Sequence, residues 1–91
     1  MPTRKEVYEL IDGERDYQEN LCRARKETGK QWCVLEMGEY VTMVFHYVRE
    51  AEKEWTTKSK GGDTPAIMRK IAAIAVGFME NHGATKGEKS K

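Results

Sequence analysis

Apolar residues recur at helical spacing in three stretches of this 91-residue chain, with polar connections between them. In the first stretch, Val7, Leu10, Ile11, Tyr17 and Leu21 form a stripe in which Glu14 and Gln18 stand where apolar side chains are expected. Thr3 followed three residues later by Glu6 reads as a capping box, so this helix starts near Arg4. The periodicity fades over CRARKETGK, Cys22 to Lys30, which reads as a helix end followed by a basic connection. A second helix is predicted from Gln31 to Trp55, with Val34, Met37, Gly38, Val41, Phe45, Val48 and Ala51 on its apolar face. Glu36, Glu39, Met43, His46 and Glu50 then fall on other sides. At ~1.5 Å per residue it would be about 37 Å long, which a globule of this size accommodates only if the helix bends or packs on another copy.

Residues 56 to 63, TTKSKGGD, contain no apolar residue and two adjacent glycines, the pattern of a mobile connection. The third helix opens with Thr64 as N-cap and Pro65 at its first position. Ile67, Ile71, Ile74, Ala75 and Phe78 make its main face, and Ala72, Ala73, Val76 and Gly77 leave its other sides small and apolar. A helix apolar nearly all round is covered on more than one side, which is the sequence's best sign of a homo-oligomer. Asn81-His82-Gly83 supplies a stop, and ATKGEKSK beyond it, residues 84–91, is expected to be a disordered Lys-rich tail. The expected fold is all-α: a single domain over residues 1–83, with helices two and three as a long antiparallel hairpin and helix one packed across it.

Composition narrows the partners. Charged residues are 34% of the chain yet nearly cancel at a formal +1, so no global field draws it to long nucleic acid or to a membrane. No segment approaches the ~20 apolar residues that span a bilayer, and the N-terminus has no apolar leader, which points to the cytoplasm. Cys22 and Cys33 are not spaced as a CxxC pair and are expected as free thiols.

The candidate chemistry gathers around Glu36 and Glu39. Carboxylates at i and i+3 share a helical flank, and such a pair can begin a Mg²⁺ site. If helix one lies antiparallel to helix two, Glu14 and Gln18 approach them, and three carboxylates face one cleft. Like charges that close need a cation, either Mg²⁺ or a Lys or Arg. The competing reading leaves Glu36 and Glu39 on a solvated flank and pairs Glu14 with an arginine. Arg69 and Lys70, on the second turn of helix three, could join Arg23, Arg25 and Lys26 as a basic rim for phosphate; the alternative is that these cations serve solubility. Tyr40 and Tyr47, seven apart on a flank of helix two, could stack on a nucleobase or instead pack across an oligomer interface. Two histidines and no nucleophile elbow anchor no catalytic triad, and Gly61-Gly62-Asp63 is too short for a phosphate loop.

ELIDGERDYQ, the Glu36/Glu39 helix and IMRKIAAIAVGFMENHGA together resemble small phage and prophage proteins related to the MazG-like all-α NTP pyrophosphohydrolases, over most of residues 6 to 84. In that superfamily an ExxE helix and an ExxD helix hold Mg²⁺ against a nucleotide triphosphate. Glu36 and Glu39 match the first motif, whereas Ala66 to Ile71, AIMRKI, carries no acid where the second belongs. The resemblance therefore implies a scaffold that binds a phosphorylated nucleotide through Arg23, Lys26, Arg69 and Lys70, with Tyr40 or Tyr47 on the base and Glu39 with Glu14 at its edge. Without metal it captures the ligand and leaves it intact, as a phage protein silencing a nucleotide-based host defence would. Two alternatives stand: a Mg²⁺-dependent pyrophosphohydrolase using Glu14, Glu36 and Glu39, with Glu50 as a further candidate, and a protein-binding adaptor whose apolar third helix docks on a host protein.

Overall fold

Thr3 and Glu6 close the first turn reciprocally. The Thr3 N–H donates to Glu6 Oε1 at 2.8 Å, and the Glu6 N–H donates to Thr3 Oγ1 at 3.2 Å. The bond from the Thr3 amide, helped by the Thr3 hydroxyl, holds the Glu6 carboxyl below its usual value. From this cap α1 runs Arg4–Glu27, in a computed structural model that describes residues 1–27 and 35–85, the side chains of 24–27 excepted. Most of the basic connection, with Trp32 and Cys33, and the tail from residue 86 lie outside the described residues. Cys22, expected as a free thiol, is disulfide-bonded.

The second helix begins later than its periodicity suggests. Leu35 and Glu36 are not helical, and α2 runs Met37–Thr57. Glu36, in extended backbone at φ −66° and ψ 156°, is the N-cap, and its N–H donates to Glu39 Oε1 at 2.7 Å. Two acids three apart thus form a capping box that starts the helix here; Gln31 to Val34, also expected in it, lie outside the described residues.

The expected mobile connection is an ordered turn. A 3₁₀ segment, Ser59–Gly61, follows α2, and the Asp63 N–H donates to Glu54 Oε1 at 3.0 Å. That bond holds the Glu54 carboxyl below its usual value, and Lys58 at 3.3 Å adds to the effect. Gly62 has φ +53°, and a Cβ there would stand 2.5 Å from Glu54 Oε1 and 2.9 Å from Lys58 Cβ. The adjacent glycines therefore serve a tight turn, where a side chain would be both strained and obstructed. Asp63 caps α3, Thr64–His82, so Thr64 and Pro65 occupy its first turn.

α3 lies between the other two helices and packs on both. Against α2 it forms an antiparallel hairpin: Tyr40, near the start of α2, meets Phe78 and His82 near the end of α3, each with ring centroids 5.7 Å apart and edge-on geometry. α1 crosses α3, since Glu14 reaches Arg69 while the adjacent Arg15 reaches Glu80. This arrangement accounts for the apolar character of α3 within one chain: two helices cover it, and no second copy is needed for that purpose. Among the described residues there is no strand, and no helix there is long and apolar enough to cross a membrane.

The buried core is small. Tyr40, Ala51, Ile67, Ala73 and Ile74 are its apolar members among the described residues. The radius of gyration is 15.0 Å, against about 12 Å for a compact domain of this length. The face of α2 turned to α3 holds Tyr40, Met43, Val44, Tyr47 and Ala51, whereas Met37, Val41, Phe45 and Val48, expected on the covered face, are exposed. Apolar residues span so wide an arc of this helix that periodicity does not distinguish the half α3 covers from the half it leaves open.

Candidate functional site

Because α1 and α2 straddle α3 without packing on each other to a comparable extent, an open cleft of about 1290 Å³ lies between them. The second half of α1 gives one wall, the segment from Leu35 through the first half of α2 the other, and Lys70, Ile74, Gly77 and Asn81 of α3 the floor. Glu14, Gln18, Arg23, Glu36, Glu39, Tyr40, Tyr47 and Lys70 all line it. Arg69 is not in the lining and reaches it only through Glu14, while the side chain of Lys26 lies outside the described residues.

The carboxylates of the cleft are largely engaged. Glu14, with only 10% of its side chain exposed, accepts from Arg69 Nε at 3.1 Å. This pair answers the charge expected on the buried stripe of α1, and it turns Arg69 toward a carboxylate where a phosphate contact was expected. Glu39 accepts from the Glu36 backbone. Glu14, Glu36 and Glu39 share the cleft, yet no group of three acids, histidines or cysteines among the described residues is placed to hold a metal ion. Glu50, the further candidate, pairs instead with His46 at 3.2 Å on the exposed side of α2.

Two aromatic constellations stand against the lining. Lys70 Nζ lies 5.8 Å above the Tyr47 ring, so a cation and an aromatic face share one site. Tyr40, expected on an open flank, is 7% exposed, clamped between the Phe78 and His82 rings. Only its hydroxyl has polar company: Asn81 Nδ2 donates to it at 2.9 Å and to the Gly77 carbonyl at 3.0 Å. Both amide hydrogens of Asn81 are thereby used, which leaves its Oδ1 as an acceptor beside the Tyr40 O–H donor. His82 Nε2, 2.7 Å from the Leu35 carbonyl oxygen, fastens the segment before α2 to the end of α3.

Sequence reasoning passes over Arg15, Gly77 and Asn81. Arg15 reaches Glu80 at 2.7 Å and Glu19 at 3.4 Å, its guanidinium lying across Gly77, where an added Cβ would stand 3.2 Å from Nε. Gly77 thus lets α1 approach α3. The signal for it, a glycine inside an apolar helix, is visible in the chain, but its partner is decided by the crossing of α1. Four carboxylates of the lining, Glu14, Glu19, Glu36 and Glu39, face three cations, Arg15, Arg23 and Lys70. Arg15 is already paired, so Arg23 and Lys70 remain for a ligand.

Comparison with known protein families, curated proteins and solved structures gives no match.

Proposed function

We propose that the cleft binds a nucleotide-type phosphorylated small molecule and holds it without turning it over. One observation carries this reading: a cation over an aromatic face, Lys70 on Tyr47, shares a lining with a free donor and acceptor pair, Tyr40 O–H and Asn81 Oδ1. A nucleobase stacks on the Tyr47 face and presents its edge to Tyr40 and Asn81. Phosphate goes to Lys70 and Arg23. Two unpaired cations match a ligand with one or two negative charges better than a triphosphate, because four carboxylates would oppose the additional charge. Occupied carboxylates at Glu14 and Glu39 support capture over metal-assisted hydrolysis, since a Mg²⁺ ion would have to displace Arg69 and uncap α2. Sequestration of a nucleotide signal is the role such a binder would fill, and an oligomer would present several clefts at once.

Thermal melting against nucleoside monophosphates, triphosphates, and linear and cyclic dinucleotides, each with Mg²⁺ or EDTA, tests the reading. A ligand at about 100 times its Kd stabilises by about 2.7 kcal/mol, a shift of several degrees here. We expect a shift that persists in EDTA, is largest for a ligand of low charge, returns the ligand intact and is lost in Lys70→Ala. Release of pyrophosphate in the presence of Mg²⁺ would replace it with the pyrophosphohydrolase reading. A flat response to every nucleotide would refute it.

A further inference from the structure

We propose, resting on the nucleotide reading of the cleft, that it selects ribonucleotides over deoxyribonucleotides by receiving the sugar 2′-hydroxyl between Glu14 and Gln18. Arg69 and Lys70 are adjacent on α3 and reach in different directions: Arg69 to Glu14 on α1, at 3.1 Å, and Lys70 to the Tyr47 ring on α2, at 5.8 Å. Glu14, Lys70 and Tyr47 therefore stand at one level of the cleft, one from each helix, and all three line it. A nucleotide with its base on Tyr47 and its phosphate at Lys70 carries its sugar between the two, beside the wall that α1 supplies.

What that wall offers there suits a hydroxyl. The Glu14 side chain is 10% exposed, and Arg69 Nε holds its Oε1. Its other oxygen, Oε2, has no hydrogen-bond partner among the described residues. No sealed side-chain oxygen or nitrogen among them lacks a partner, so Oε2 opens on the cleft. A carboxylate oxygen only accepts, and it repels phosphate, so what it takes from a nucleotide is a proton donor. Because Arg69 fixes the carboxylate, little rotamer freedom is lost when that donor binds. Gln18 lies one turn further along α1, lines the same cleft, and makes no hydrogen bond among the described residues. Its amide nitrogen donates. A sugar hydroxyl both donates and accepts: it donates to Glu14 Oε2 and accepts from Gln18 Nε2, and neither contact forms with a deoxyribose.

Titration calorimetry of the full chain with ribonucleoside 5′-monophosphates and with linear and cyclic diribonucleotides, each beside its 2′-deoxy counterpart, tests it. Since the hydroxyl bonds a charged acceptor, the ribose form of whichever probe binds should do so about ten- to hundredfold more tightly. Gln18→Ala should narrow that ratio several-fold and leave the affinity for the deoxy form unchanged, a split that loss of structure would not produce. Glu14→Leu combined with Arg69→Met, which removes the carboxylate and its partner together, should bring the ratio to about one while the deoxy form still binds. Equal affinity of the two forms, or a ratio untouched by both variants, would overturn the inference and leave the nucleotide reading standing. Binding of neither series would overturn the two together.

Discussion

Tyr40 offers the sharpest test of how this small fold is held together. Its ring is clamped edge-on by Phe78 and His82, and its hydroxyl has one partner, Asn81, whose side chain is exposed. Tyr40→Phe removes the hydroxyl alone. Because Asn81 can turn to water, the loss should be about 0.5–1 kcal/mol. Tyr40→Ala removes the ring from a core with few other members and should cost about 3–5 kcal/mol. A domain of this length has a net stability of about 5–14 kcal/mol, so the second change removes roughly a fifth of it at least. At roughly 4–8 °C per kcal/mol, the Phe variant should melt about 2–8 °C lower and the Ala variant at least 12 °C lower. Urea unfolding followed by circular dichroism at 222 nm measures both, at one fixed protein concentration because self-association would add to apparent stability. If Tyr40→Ala costs less than about 1 kcal/mol, the ring lies on an open flank and does not hold the hairpin end together.

Three other outcomes follow from the same geometry. Arg69→Met should cost about 1–3 kcal/mol by leaving the nearly buried Glu14 carboxylate unpaired, and adding Glu14→Leu should recover most of it, as a double-mutant cycle in urea would show. Gly62→Ala should destabilise by about 1–2 kcal/mol, since φ +53° and the close Glu54 and Lys58 atoms oppose a side chain; an unchanged melting temperature would show that the turn is not held this way. Glu6 and Glu54 both have folded values below their usual 4.5, so their contributions are complete above that value and are lost as pH falls through the lower folded ones. Stability measured between about pH 3 and 6 should therefore fall less steeply on acidification in the Glu6→Gln, Glu54→Gln double variant.

Local signals carried much of the fold. Thr3 and Glu6 cap α1 because the residues involved are three apart in sequence and need nothing else. The same short range explains Pro65 in the first turn of α3 and the Gly61-Gly62 turn, although the turn is tied down by Glu54, nine residues before the amide it binds. Glu36 and Glu39 show the limit of such reading. Two acids three apart suit a metal flank and a capping box equally well, and the choice depends on whether Glu36 is helical, which its φ and ψ decide.

The sequence by itself determined three helices, their order, and the stripes of apolar residues along each, because helix periodicity and capping are local properties of the chain. It also brought most of the cleft residues to notice, since acids, cations and tyrosines on helix flanks stand out against an apolar pattern. Only the tertiary structure decided which half of the apolar arc of α2 meets α3, that Tyr40 is core while Phe45 is surface, and that Arg69 belongs to Glu14. The physical reason is that α3 is apolar on nearly every side and accepts either neighbour on any face. What fixes the arrangement is the crossing of α1 over Gly77 and the clamp on Tyr40, contacts between residues tens of positions apart that no local pattern encodes.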